Sequence, residues 1–198
     1  MKIACVSCGG PYPGSGVPYK CQFCGGYYDY VGSLIFGDTD STQLGIWRYS
    51  ASLGPRIAPV SLGEGNTPLL PVKALGREIY LKCEYANPSG SFKDRGMATL
   101  VATLKERGVT EAVEDSSGNA GASFAAYAAR AGIKACIYVP ESTSRSKRQQ
   151  IEAYGAELVP VPGPRSKAAE AVLRTAQAGT IYASHAYLPF NIPGYATC

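Results

Sequence analysis

The chain contains 198 residues, of which 45% are hydrophobic and 17% are charged, and its formal net charge is +4. This composition predicts a globular protein with one medium domain or two small ones, and it excludes a disordered chain. The apolar runs are far shorter than the ~20 residues that a membrane span needs, and residues 1–5 lack the apolar core of a signal peptide. We therefore expect a soluble cytoplasmic protein without a membrane partner.

Two CxxC pairs near the N-terminus predict a zinc ribbon over residues 1–30. The four cysteines of these pairs are Cys5, Cys8, Cys21 and Cys24. The pairs are separated by 12 residues, and each is followed by two glycines. Four thiolates complete a tetrahedral zinc site and leave no position for chemistry, so the metal is expected to be structural. A redox pair or an accidental pattern is the alternative, while the odd total of seven cysteines argues against a closed set of disulfides.

Strand and helix signals alternate regularly over the second half of the chain. Residues 31–92 are interpreted as a Gly/Ser/Asp-rich connector, ending near Arg56, followed by the first part of a larger domain with a strand-like run at 79–83. From Lys93 onward we predict helices at 93–108, 120–131, 144–154 and 165–178. We predict strands at 111–115, 134–139, 156–161 and 180–183. Short apolar runs of this kind are typical of strands covered on both faces, so the predicted fold class is α/β, a parallel sheet with helices on both faces.

Ligands of such a sheet bind outside the carboxyl ends of its strands, and two motifs follow strand ends. The segment SGSFKDRG at residues 89–96 places Lys93 at the start of a helix. An amine held there and partly desolvated is pushed towards its neutral, nucleophilic form, which Schiff-base chemistry with an aldehyde cofactor requires. The segment SSGNAG at residues 116–121 presents backbone amides at a helix N-terminus, where a phosphate or a carboxylate binds. Asn119 adds a side-chain amide, and a plain tight turn is the alternative interpretation.

The two motifs together resemble those of the pyridoxal-phosphate enzymes of the tryptophan synthase beta type, most closely the threonine synthases. The segments IWRY at residues 46–49 and LGEGNTPL at residues 62–69 are also similar to segments of that family. The similarity extends over residues 5–194. It implies the family's fold in incomplete form, with a small αβ domain at residues 93–184 and the start of a return to the large domain at residues 185–198.

The resemblance also implies roles for individual residues. Lys93 would hold pyridoxal 5'-phosphate as a Schiff base and move protons on the substrate carbons, and Asn119 would bond the ring hydroxyl. The substrate carboxylate would be bound by the turn residues Ser117, Gly118, Asn119, Ala120 and Gly121. The implied reaction converts O-phospho-L-homoserine and water to L-threonine and phosphate.

Departures from the family pattern leave alternatives open. The family has a hydroxyl residue in place of Ala120, and polar or charged residues in place of Leu188, Pro193 and Ala196. Another pyridoxal-phosphate enzyme that eliminates or replaces groups on amino acids, such as a threonine or serine ammonia-lyase, is therefore an alternative. An alternative from a different class of protein is a zinc-ribbon binding module with an inert enzyme-like domain.

The family's second glycine-rich loop, which grips the cofactor phosphate, has no counterpart after Asn119. We therefore interpret the chain as an N-terminal fragment that is inactive on its own. A homodimer at full length is left open.

The remaining polar residues are given structural roles. His185 is interpreted as a hydrogen-bonded packing residue at a strand end. Asp94 and Arg95 are expected to pair with each other or to cap the helix. The basic cluster RSKR at residues 145–148 is expected to be a solvated helix face rather than a nucleic-acid contact, so the expected partner is a small amino-acid substrate. Cysteines interpreted as core or terminal residues are Cys83, Cys136 and Cys198.

Overall fold

The structure is a computed structural model that describes residues 2–53 and 57–198. Met1, the first residue of the predicted ribbon, and Arg56, the predicted end of the connector, lie outside the described residues. Within those two ranges, no helix is long and apolar enough to cross a membrane. The domain boundaries predicted at residues 30, 92 and 184 stay predictions.

An antiparallel hairpin begins the chain and carries the cysteine pairs. Its strands are β1 (Lys2–Cys5) and β2 (Tyr28–Val31). The backbone turns in the same way around each pair, because the amide of Cys5 donates to Gly10 O at 2.8 Å and the amide of Cys21 donates to Gly26 O at 2.7 Å. These paired turns bring the two CxxC segments together at one end of the hairpin.

A second hairpin precedes the region of alternating strands and helices. It consists of β3 (Leu69–Ala74) and β4 (Arg77–Lys82), joined by Leu75 and Gly76. Both loop residues have positive φ, 52° and 71°, as a two-residue turn that matches the twist of a hairpin requires. The sequence predicted a strand close to β4 but missed β3, since the outward apolar side chains of this hairpin do not alternate with polar ones.

Four parallel strands form the main sheet in the order β7-β6-β5-β8. The strands are β5 (Glu111–Asp115), β6 (Lys134–Pro140), β7 (Glu157–Val161) and β8 (Ile181–Tyr182). The helices of this region are α1 (Lys93–Glu106), α2 (Asn119–Ala131), α3 (Arg145–Ala153), α4 (Arg165–Gln177) and α5 (Ile192–Tyr195). Short 3-10 helices lie at Gly45–Ser52, Glu84–Ala86 and Pro189–Asn191. The predicted alternation of strand and helix and the parallel sheet are confirmed.

Helices cover both faces of the sheet, and neighbouring residues of β5 show why. Ala112 faces the larger apolar core, to which α1 and α2 contribute Leu100 and Phe124. Val113 faces the opposite side and packs with Val172 of α4. Because successive side chains of a strand point to opposite faces, a strand that is buried on both sides must be apolar at consecutive positions. The predicted core cysteines Cys83 and Cys136 are buried, while Cys198 is exposed.

The N-terminal hairpin is attached to the C-terminal end of α1. Arg107, the residue after this helix, donates from Nη1 to Pro13 O at 3.1 Å and to Gly16 O at 2.6 Å. Its guanidinium also lies 5.1 Å from the ring centre of Tyr12 and 5.3 Å from that of Phe190. These cation–π contacts and hydrogen bonds join the cysteine-bearing segment to the α/β region.

Two glycines allow α5 to pack closely on the start of α1. A Cβ atom on Gly96 would lie 2.3 Å from the ring of Tyr195, and one on Gly194 would lie 2.0 Å from the carbonyl oxygen of Arg95. Real side chains do not reach such distances, so the two helices can approach this closely only without side chains at these positions.

We expect Gly194→Ala to lower the free energy of unfolding by about 1–3 kcal/mol, because the added methyl group meets rigid backbone and forces α5 away from α1. Urea unfolding of the purified chain measures this loss. Gly14→Ala is the matched control, since no atom lies within 4 Å of the added carbon. Equal midpoints for Gly194→Ala and Gly14→Ala would contradict the close packing.

Candidate active site

Lys93 lies in a half-buried position at the first residue of α1. Its Nζ is 4.9 Å from the ring centre of Phe92 and 5.0 Å from that of Tyr195. Desolvation by these and other neighbours lowers the pKa of Lys93; nearby Glu114 acts in the opposite direction and Arg165 acts in the same direction. A larger fraction of the amine is therefore neutral than in an ordinary lysine, as a nucleophile requires.

A buried carboxylate fixes the loop that precedes Lys93. Asp94 is fully buried and accepts hydrogen bonds from the backbone amide of Ser89 at 2.6 Å and from the Ser89 hydroxyl. It also accepts from the hydroxyl of Ser123 on α2 at 2.6 Å. Burial raises the pKa of Asp94, and the hydrogen bonds from Ser123 and Ser89 oppose that effect. The start of α1 is thus tied to α2.

The expected pairing of Asp94 with Arg95 is wrong. Arg95 instead forms a bidentate ion pair with Glu84, in which Nε donates to Oε2 and Nη2 donates to Oε1, both at 2.7 Å. Successive residues of a helix point about 100° apart and cannot face each other, which is why Asp94 and Arg95 find different partners. The hydrogen bonds from Arg95 lower the pKa of Glu84 to about 2. Arg95 also donates to Thr197 O at 2.9 Å and so joins α1 to the residues after α5.

The predicted anion-binding turn connects β5 to α2. Gly118 precedes the helix, and no side chain accepts a hydrogen bond from the first helical amides. Gly121 is required for close packing, because a Cβ atom there would lie 2.4 Å from Ser116 O. Ser117 and Gly118 are half-buried and Asn119 is exposed, whereas Ala120 and Gly121 are buried. The turn therefore presents Asn119 together with the uncapped amides of a helix N-terminus.

A lysine on α3 contacts the Asn119 side chain. Lys147 Nζ donates to Asn119 Oδ1 at 2.9 Å and to Gln150 Oε1 at 2.7 Å. Gln150 Nε2 in turn donates to Ser89 O at 3.0 Å. These bonds connect the turn before α2 with the loop before α1. Sequence reasoning assigned Lys147 to a solvated face, although its position just after β6, the strand beside β5, was the available signal.

A second buried carboxylate lies near Lys93. Glu114 on β5 is fully buried, and its Oε1 is hydrogen-bonded to Nδ1 of His185. Burial raises the pKa of Glu114, and His185 opposes that effect. His185 is thus hydrogen-bonded, as predicted, while its purely structural role stays a prediction. Sequence reasoning missed Glu114, since a single acidic residue in an apolar strand gives no sign of its partner.

The two N-terminal segments that resemble family motifs meet around a third buried carboxylate. Glu64 accepts from Trp47 Nε1 at 2.7 Å and from the hydroxyl of Tyr127 on α2 at 2.7 Å. It also accepts from the amide of Leu62 at 3.0 Å and the hydroxyl of Ser61 at 3.2 Å. The segments at residues 46–49 and 62–69 therefore serve to hold the chain against α2.

The four predicted metal ligands form one cluster. Their sulfur atoms all lie within 4.8 Å of one another, and the residues are Cys5, Cys8, Cys21 and Cys24. The Cys5 and Cys24 sulfurs are 3.5 Å apart, and those of Cys8 and Cys21 are 3.7 Å apart. Tetrahedral zinc with Zn–S bonds of ~2.3 Å needs sulfur separations of roughly 3.8 Å. The arrangement therefore fits a zinc ion.

The site residues also fit an aldehyde cofactor. Lys93 supplies an amine of lowered pKa, and the turn before α2 supplies the amide donors that an anionic or ring-oxygen acceptor needs. Asp94 and Gln150 hold the two motifs in a common framework, through Ser123 and Ser89 respectively.

Comparisons with known proteins point to the same chemistry. Residues 60–198 match the family described as "Pyridoxal-phosphate dependent enzyme". Threonine synthase of Bacillus sp. (strain ULM1) is 46% identical over 143 residues, which cover 70% of this chain and 41% of that protein. Threonine synthase of Methanocaldococcus jannaschii is 37% identical over 212 residues, which cover 100% of this chain and 52% of that protein. The solved structure of maize serine racemase superimposes with a TM-score of 0.59 at 25% identity, covering 65% of this chain and 41% of the racemase.

The chain spans about half the length of the curated relatives that it matches. The family match covers the whole parallel sheet and both motifs, including Lys93 and Asn119. The chain therefore belongs to the pyridoxal-phosphate dependent enzyme family.

Proposed function

We propose that the protein is a pyridoxal-phosphate dependent lyase of the threonine synthase type, which converts O-phospho-L-homoserine and water to L-threonine and phosphate. The observation that carries this proposal is the half-buried Lys93 amine of lowered pKa, joined through Ser89, Gln150 and Lys147 to Asn119. When bound, pyridoxal phosphate supplies an electron sink for reactions at the substrate carbons. The names of the relatives support the same reaction class.

Different residues of this chain are assigned to the cofactor and to the substrate. Lys93 would hold the cofactor and move protons on the substrate carbons. Asn119 would donate to the ring hydroxyl, and the amides of residues 117–121 would bind the substrate carboxylate. Partial burial lowers the pKa of Lys93 and so favours the neutral amine that this role needs.

A second candidate is another pyridoxal-phosphate enzyme acting on amino acids, such as a threonine or serine ammonia-lyase. Ala120 and Leu188 are apolar and buried where the threonine synthase pattern has polar groups, which favours a different substrate side chain. The likeness to serine racemase is in keeping with this alternative. A homodimer, a cytoplasmic location and a small amino acid as the binding partner belong to either proposal.

The cysteine cluster is proposed to hold a structural zinc ion. Its sulfur separations suit the metal, and four protein ligands leave no position for substrate. A segment this small buries little apolar surface, so its fold depends on the metal.

Borohydride reduction in the presence of pyridoxal phosphate should leave a stable label on the peptide that contains Lys93, because its amine is the more reactive nucleophile. Peptide mapping by mass spectrometry identifies the labelled residue. Lys105 is the internal control, since it lies exposed on the same helix. Lys93→Ala should lose the label and Lys105→Ala should keep it.

The 198-residue chain by itself should bind the cofactor weakly, so labelling requires excess cofactor. Tight stoichiometric binding would contradict this expectation. Absence of a label on Lys93 in a protein of the relatives' length would favour the inert binding module.

The pH dependence of labelling should report the surroundings of Lys93. Labelling increases with pH as the amine loses its proton, and its midpoint should fall below the ordinary lysine pKa of 10.5. Glu114→Gln should move the midpoint lower still, because the carboxylate favours the charged amine. Arg165→Gln should move it higher, because a nearby cation is removed. Shifts of the same sign in both variants would contradict this assignment.

Zinc analysis of the purified chain should find one ion per molecule, and a chelator should remove it with loss of the β1–β2 hairpin. Hydrogen exchange of the β1 and β2 amides measures that loss. Cys8→Ser should prevent stoichiometric binding, whereas Cys198→Ser, which removes another exposed thiol, should not. Full zinc content in Cys8→Ser would exclude the four-cysteine site.

A further inference from the structure

Lys147 is the one basic side chain that contacts a predicted cofactor residue among the hydrogen bonds of the described ranges. Its ammonium lies 2.9 Å from Asn119 Oδ1. It is half-buried on α3, while its neighbour Arg145 on the same helix is exposed. The proposed function assigns Lys147 no contact with cofactor or substrate.

The chemistry of the two groups determines how the Asn119 amide is oriented. An ammonium group has only donors, so it can face the amide oxygen and never the amide nitrogen. With Oδ1 turned towards Lys147, the Nδ2 donors of Asn119 point to the other side. The terminal torsion of an asparagine is broad and roughly two-fold, so an exposed Asn119 without Lys147 would present either its oxygen or its nitrogen to a ligand.

Lys147 is itself held in place. Its ammonium donates to Gln150 Oε1 at 2.7 Å, and Gln150 donates to Ser89 O at 3.0 Å, in the loop that Asp94 fixes. A donor whose position is already fixed loses little conformational entropy when it orients its partner. The same network that positions the loop before Lys93 therefore orients Asn119.

We propose that Lys147 is a positioning residue, which turns the Asn119 amide so that its Nδ2 donates to the ring oxygen of the cofactor. This inference rests on the proposed function. Loss of Lys147 leaves Asn119 free to present its carbonyl oxygen, which would repel a ring oxygen instead of binding it.

The test compares Lys147→Met with Lys147→Arg and with Arg148→Met. Lys147→Met removes the donor, Lys147→Arg keeps a cationic donor, and Arg148→Met removes a charge from the same helix at a residue that has no side-chain hydrogen bond among the described residues. The probe is pyridoxal 5'-phosphate, titrated against each variant and followed by the absorbance of the bound form. Binding should weaken about three- to tenfold in Lys147→Met, the range expected for loss of one hydrogen bond, and should stay within about twofold in the other two variants.

A second probe separates positioning from a general loss of structure or charge. 3-Deoxypyridoxal 5'-phosphate lacks the ring oxygen that Asn119 is proposed to bind. The ratio of its dissociation constant to that of pyridoxal 5'-phosphate should be larger in the wild type than in Lys147→Met. Equal ratios in the two proteins would overturn the inference.

An NMR measurement without cofactor tests the inference independently of the proposed function. The side-chain amide signals of Asn119, assigned with Asn119→Asp, should shift in Lys147→Met and stay in place in Arg148→Met. Unchanged signals in Lys147→Met would refute the orientation by Lys147. If a protein of the relatives' length takes up no cofactor, the proposed function fails, and the NMR result alone decides whether Lys147 orients Asn119.

Discussion

The hydrogen bonds that Asp94 accepts fix the position of Lys93, the proposed catalytic residue. This buried carboxylate holds Ser89 in the loop before α1 and Ser123 on α2, so it ties the first turn of α1 to the helix that follows the predicted anion-binding turn. A buried carboxylate is costly unless its oxygens are satisfied, and here three donors satisfy them. Removal of any one donor would leave part of that cost uncompensated. The position of Lys93 therefore follows from the hydrogen bonds that the adjacent Asp94 carboxylate requires.

Burial shifts the pKa values of Lys93 and of the carboxyl groups around it in opposite directions. It favours the neutral form of every ionisable group, so it lowers the pKa of Lys93 and raises those of Asp94 and Glu114. The three shifts therefore narrow the gap between the pKa of the amine and those of the two carboxyl groups. Glu114 alone partly opposes this effect at Lys93, because its charge attracts the ammonium form. The pKa of the Lys93 amine thus depends on a balance between desolvation and nearby charges.

The sequence was sufficient for the parallel sheet because each strand and helix there has a local pattern of its own. Apolar runs between turn residues identify β6 and β7, and the two motifs stand at strand ends where sheet geometry places ligands. Partners that are distant in the chain have no such pattern. The pairing of Arg95 with Glu84 and the bond from Lys147 to Asn119 depend on how elements distant in the chain pack together, so no local pattern predicts them.

The two ends of α1 connect the proposed zinc site to the proposed catalytic lysine. Arg107, after the last turn, holds the N-terminal hairpin, and Lys93 occupies the first turn. The fourteen residues of this helix place its ends about 20 Å apart, at ~1.5 Å per residue. The hairpin also approaches Lys93 by a second route, because Val6 and Tyr28 line a cavity together with Tyr195, whose ring centre lies 5.0 Å from the Lys93 amine. The packing of the hairpin against Arg107 and against the segment from Phe190 to Tyr195 therefore connects the stability of the cysteine cluster to the surroundings of Lys93.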